Sequence, residues 1–100
     1  MANTTGQTVT LLNNVPIYVQ FKVNIGSTST GYTEYFSEGQ QRSIDLGTDT
    51  FREGVSMGIS AHADSGTTHH FDGLVYQANG ARINLVATGG SISDWQITLA

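Results

Sequence analysis

The stretch Ile17-Tyr18-Val19-Gln20-Phe21-Lys22-Val23-Asn24-Ile25 alternates apolar and polar side chains without a break. Successive side chains of a strand point to opposite faces. Ile17, Val19, Phe21, Val23 and Ile25 therefore share one face, and Tyr18, Gln20, Lys22 and Asn24 the other. That is the pattern of a strand buried on one side and wet on the other. Pro16 stands just before it, where a missing N–H costs least. The alternation returns in Val55–Ala63, with Val55, Met57, Ile59, Ala61 and Ala63 inward, and in Asp94–Leu99, which turns Trp95, Ile97 and Leu99 inward. Weaker strands are predicted at Thr8–Leu12, Tyr32–Phe36, Gln41–Leu46, His69–Ala78 and Ala81–Ala87. Helical periodicity is nearly absent, and a short helical turn is expected only in the irregular stretch Gly47–Gly54.

Turn residues fall between these runs. Asn79-Gly80 is the strongest hairpin signal, since both residues tolerate the positive φ of a type I′ turn. It predicts Tyr76 opposite Ile83 and Leu74 opposite Leu85. About eight short strands, each with one apolar face, point to an all-β fold, a small antiparallel β-sandwich, with a barrel or jelly roll as variants sharing the same local pattern. The expected core is Val19, Phe21, Val23, Ile59, Leu74, Tyr76, Ile83, Leu85, Trp95 and Ile97. A length of 100 residues suits one domain, 1–100, with no linker or repeat.

Composition narrows the function. Charged residues make up 12% of the chain, about half the usual share. Lys22, Arg42, Arg52 and Arg82 are scattered among eight acids, for a net charge of −4. No nucleic-acid footprint can be built from them. The absence of cysteine removes disulfides, thiolate zinc sites and cysteine nucleophiles. No stretch reads as a signal peptide or a transmembrane segment. The abundance of Thr, Gly and Ser and the single lysine lean toward an exported or surface-displayed protein. In this general plan the chain resembles small secreted lectins and membrane-binding β-sandwich proteins such as the aegerolysins. The resemblance is one of sequence style, and it carries over no site residue.

Catalytic signatures are missing. There is no Gly-x-Ser-x-Gly elbow and no phosphate-binding glycine loop. The chain is expected not to be an enzyme. Three histidines and two acids crowd into His62–Asp72. If a hairpin closes with the loop Ser65–Thr68, then His62, Asp64 and His69 share the outer face, a donor set for zinc or another divalent ion. His70 and Asp72 would then point inward. The competing reading is a solvated loop tip with an ordinary cross-strand pair. Asp45, Asp49 and Glu53 offer oxygen ligands for calcium, without an EF-hand spacing. No resident cofactor is otherwise expected.

Aromatic residues interleaved with hydrogen-bonding side chains are the better lead. Tyr18 and Tyr35, with Gln20 and Asn24, make a candidate ligand face for stacking a sugar ring and binding its hydroxyls. The expected function is lectin-like recognition of carbohydrate, or of another polar surface ligand, by a homo-oligomer. The alternative is a self-assembling structural protein such as a filament, lattice, tail or capsule component, because few lysines guard the strand edges and Ile17–Ile25 is long enough to pair with another copy. A further alternative, not favoured, is a membrane-binding or pore-forming protein using Val55–Ala63 and His69–Ala78 as its hairpin.

Overall fold

A computed structural model describes residues 4–47, 51–91 and 94–100. Among them run nine strands and no helix: β1 (Thr4–Gly6), β2 (Thr8–Asn14), β3 (Val19–Ile25), β4 (Thr28–Ser29), β5 (Gln41–Asp45), β6 (Ser56–Ala63), β7 (Thr68–Tyr76), β8 (Arg82–Ser91) and β9 (Asp94–Leu99). The first sheet has the order β1-β7-β6-β3-β4 and the second β5-β2-β8-β9. Each is open at both ends, so the two layers form a sandwich and not a closed barrel. The helical turn expected in Gly47–Gly54 falls partly on residues 48–50, outside the described residues.

Alternation drives the packing. All ten expected core residues are buried, Ile97 being the most exposed of them at 7%. Val9, Leu11, Val15, Phe36, Met57 and Ala87 are among the residues that join them in the interior. Burying apolar side chains on facing layers is the main favourable term, at roughly 25 cal/mol per Å² removed from water.

Two features depart from the sequence reading. The sandwich is not wholly antiparallel, because each sheet holds one parallel pair. β1 runs parallel to β7, with Thr5 opposite Val75. The chain then crosses at Gln7 and continues as β2, parallel to β8, with Leu11 opposite Leu85. The crossing is tight: a Cβ on Gly6 would lie 2.8 Å from Ile83 Cγ1 and 2.9 Å from the Ala81 carbonyl oxygen. Parallel partners lie far apart in sequence, so local alternation carries no trace of them.

The second correction is Asn79-Gly80. It does not close a hairpin, since β7 lies in the first sheet and β8 in the second. A type I′ turn needs positive φ at both central residues. Gly80 has φ 73°, but no described residue other than glycine has a positive φ. Asn79 instead accepts the N–H of Ala81 at 2.9 Å through its side-chain oxygen, and the Gly80 N–H reaches Gln7 Oε1 at 3.1 Å. The turn carries the chain across the sandwich.

Asn13 is the main buried polar anchor. Its amide donates to the carbonyls of Ile17 at 2.7 Å and Phe36 at 3.0 Å, and its oxygen accepts the N–H of Val15 at 2.9 Å. It ties the turn before β3 to the segment that follows β4.

Candidate functional site

The candidate site is the outer face of the first sheet, built on the even positions of β3. β6 flanks β3 on one side, pairing Gln20 with His62, Lys22 with Ser60 and Asn24 with Gly58. On the other side β3 is not a free edge. Beyond the two residues of β4, residues 30–36 lie along it as an extended strap, where a strand Tyr32–Phe36 was expected.

The strap docks at every third residue. The Thr30 N–H donates to Val23 O at 2.9 Å, Thr33 N–H to Phe21 O at 2.8 Å and Phe36 N–H to Val19 O at 2.8 Å. Threonine hydroxyls stand in for missing carbonyl acceptors: Thr30 Oγ1 accepts the Val23 N–H and Thr33 Oγ1 the Phe21 N–H. Three strap residues thus span two residues of β3. This mismatch explains why no ladder forms.

The same repeat places a tyrosine just before each of two anchors, Tyr32 before Thr33 and Tyr35 before Phe36. Both are exposed. The Tyr35 hydroxyl receives a hydrogen bond from Gln20 Nε2 at 3.4 Å. Lys22 Nζ sits 5.0 Å from the centre of the Tyr32 ring, which tilts against His62 at 6.3 Å. On the strap's other flank, Glu34 pairs with Arg42 of β5 at 3.0 Å.

Further along the face, Asn24 Nδ2 donates to Ser60 Oγ at 2.9 Å, and Ser60 Oγ lies 2.9 Å from His70 Nδ1. His62 Nδ1 is 2.7 Å from Thr68 Oγ1. The β6–β7 pairing is then interrupted: Met57 faces Leu74 and Ile59 faces Phe71, so Asp72 and Gly73 together oppose Gly58. This bulge hollows a depression of about 430 Å³ lined by Asn24, Gly26, Ser56, Met57, Gly58, Asp72 and Gly73. Gly58 is required there. A Cβ on it would collide with the Asp72 carboxylate and lie 2.7 Å from the Phe71 carbonyl oxygen.

Of the residues singled out for ligand binding, Gln20 and Tyr35 are brought into contact, and Asn24 borders the depression. Tyr18 is 54% exposed and lines a separate hollow with Pro16, Ile17, Ser37 and Glu38. Tyr32, Lys22, Ser60, His70 and Asp72 are the additions. The outward parity of Lys22 was legible, but the pairing of β3 with β6 and the three-residue docking of the strap were not.

The histidine cluster does not assemble as the sequence suggested. The observed register sets His62 opposite Thr68, Ala61 opposite His69 and Ser60 opposite His70. That differs from the expected hairpin by an odd number of residues, which exchanges the faces of β7. His62 and His70 point outward, while His69 packs inward on Trp95 with ring centroids 4.2 Å apart. Asp64 lies in the turn, its N–H on the Tyr18 carbonyl at 3.1 Å. Among the described residues no group of three or more histidine or acidic side chains could hold a metal ion. As for the calcium ligands, Asp45 accepts from Gln7 and Gly47, Glu53 accepts from Ala78 N, and Asp49 lies outside the described residues.

No known protein family and no curated protein matches the chain. A solved structure does: the NMR structure of a protein from Eubacterium rectale is 18% identical, over 93% of this chain and 86% of that one, with a TM-score of 0.63. At that identity the similarity shows a shared fold alone. Among the described residues no helix is long and apolar enough to cross a membrane.

Proposed function

We propose that the protein is a non-catalytic module that binds carbohydrate through the outer face of its first sheet. The observation that supports this most is the repeat of the strap, which sets Tyr35 beside Gln20 and Tyr32 beside Lys22 on one open surface. A sugar offers an apolar C–H face that packs on an aromatic ring and a rim of hydroxyls that exchange hydrogen bonds with amides, hydroxyls and carboxylates. Asn24, Ser60, His62, His70 and Asp72 supply those groups beside the tyrosines. The depression at Gly58 falls within the roughly 300–1,000 Å³ usual for small-molecule sites.

Binding is favoured over cleavage because, among the described residues, Asp72 is the one acid lining the depression, whereas glycoside hydrolysis uses a pair of carboxyl groups. Single sites of this open kind bind weakly, so several copies acting together would raise the affinity. An exported or surface-displayed setting accords with the Thr-, Gly- and Ser-rich composition. A self-assembling structural role is a second reading, favoured by the open edge of β9.

A glycan array followed by titration calorimetry tests the proposal. Tyr32→Ala and Tyr35→Ala are each expected to weaken binding by about tenfold, equivalent to about 1.4 kcal/mol. Asn84→Ala, at an exposed position of β8 on the other sheet, leaves it unchanged. A silent array, or equal affinity after loss of both tyrosines, overturns it.

A further inference from the structure

We infer that β9 is an interface through which two copies of this chain join their second sheets into one continuous layer. β9 is the terminal strand of that sheet, and no described strand lies on its outer side. Which backbone groups face outward follows from the ladder. The Ala100 N–H bonds to Asn84 O at 3.0 Å, in register with Thr98 opposite Val86 and Gln96 opposite Thr88. Residues directly opposite each other in an antiparallel ladder alternate between bonded and non-bonded pairs. The even positions of β9 are therefore spent on β8. The N–H and C=O groups of Trp95, Ile97 and Leu99 point away from the sheet.

The other edges are protected and this one is not. β4 has two residues and β1 three. β5 carries Arg42 opposite Leu11, on the inward face, with its guanidinium bonded to Glu34 and 5.5 Å from the Phe36 ring. An inward charge on an edge strand obstructs pairing with another chain. β9 has no lysine, proline or inward charge. Its side chains alternate between buried Trp95 and Ile97 and exposed Asp94, Gln96 and Thr98, and Leu99 is 48% exposed.

The fitting partner is a second copy of β9. The three outward-facing residues are symmetric about Ile97. An antiparallel pairing centred there sets Ile97 against Ile97 of the other copy and Trp95 against Leu99, with all three pairs in bonded positions. Gln96 then faces Thr98, so the exposed pairs flanking the centre carry no like charges. The twofold axis is perpendicular to the sheet, which leaves both first sheets on the same side. Both tyrosine faces then point in one direction, as bivalent attachment to a surface requires. That last consequence rests on the carbohydrate proposal, while the interface itself does not.

Sedimentation equilibrium from micromolar to millimolar protein tests the interface without any ligand. The mass is expected to rise from 10.7 kDa to twice that value. Two doubly substituted variants test the register, since Gln96 and Thr98 are exposed and their replacement leaves the fold intact, as circular dichroism will verify. Gln96→Lys with Thr98→Lys sets like charges against each other and is expected to weaken dimerisation at least tenfold. Gln96→Lys with Thr98→Glu sets opposite charges together and keeps it. Amide exchange gives an independent reading: Trp95, Ile97 and Leu99 gain protection with concentration. A wild-type chain that stays monomeric at millimolar concentration, or two variants that dimerise equally, overturns the inference.

Discussion

The imidazole of His69 meets the indole of Trp95 edge-on, ring centroids 4.2 Å apart at 65°, across the gap between the two sheets. His69 Nε2 and Trp95 Nε1 are both buried, with no hydrogen-bond partner among the described residues. A buried polar atom left unpaired costs about 1–3 kcal/mol. His69→Phe keeps the ring and removes one such atom, so its thermal midpoint is expected to equal or exceed that of the wild type. His69→Ala leaves a gap beside Trp95 and lowers stability by about 2 kcal/mol. Calorimetric melts of the two variants check both statements.

Asn13→Ala strands two buried backbone groups at once, the Ile17 carbonyl and the Val15 N–H, and leaves the Phe36 carbonyl with the Val19 N–H alone. The expected loss is about 3 kcal/mol or more. Urea titration measures it, and a loss below about 1 kcal/mol would mean that the anchor is not structural. Because Phe36 closes the strap, tyrosine fluorescence from Tyr32 and Tyr35 should change before the global transition.

Gly58→Ala forces a side chain against Asp72 and the Phe71 carbonyl. Overpacking of this kind costs about 1–3 kcal/mol. The same variant fills the floor of the depression, so ligand affinity is expected to fall further than stability alone would explain. Comparing calorimetric binding with the melting midpoint separates the two effects.

Asp45 provides a pH dependence. The Gln7 side chain and then the Gly47 N–H hold its carboxyl below the ordinary value, against a smaller desolvation and with a further bond from Thr8. The folded state therefore takes up this proton less readily than the unfolded chain. Its contribution is complete above the unfolded pKa of about 4 and disappears as the pH falls through the lower folded value. Asp45→Asn is expected to be slightly less stable than the wild type at neutral pH, with the difference closing in acid. Urea midpoints across that range show whether the curves converge.

The candidate face was partly legible. Gln20, Lys22 and Asn24 were assigned outward because alternation along β3 leaves no other choice. Tyr32 was not assigned to this face because its position depends on a strap that docks every third residue. That spacing matches neither strand nor helix. His62 and His69 were grouped on one face from an assumed loop length, and β7 entered the ladder in the other parity, which turned His69 into the core and His70 outward.

What the linear order of residues determined is the layered architecture and its interior. Apolar residues at every second position can be kept from water only by stacking pleated sheets, and Phe21, Val23, Ile59 and Trp95 were placed inside on that ground alone. Tertiary structure decided which strands became neighbours: the parallel partners of β1 and β2, the passage at Asn79-Gly80 between sheets, and the protected or open state of each edge. The reason is physical. Side-chain alternation records how each strand meets water, whereas neighbour choice depends on backbone bonds between distant segments, and those bonds are chemically alike at every residue except proline.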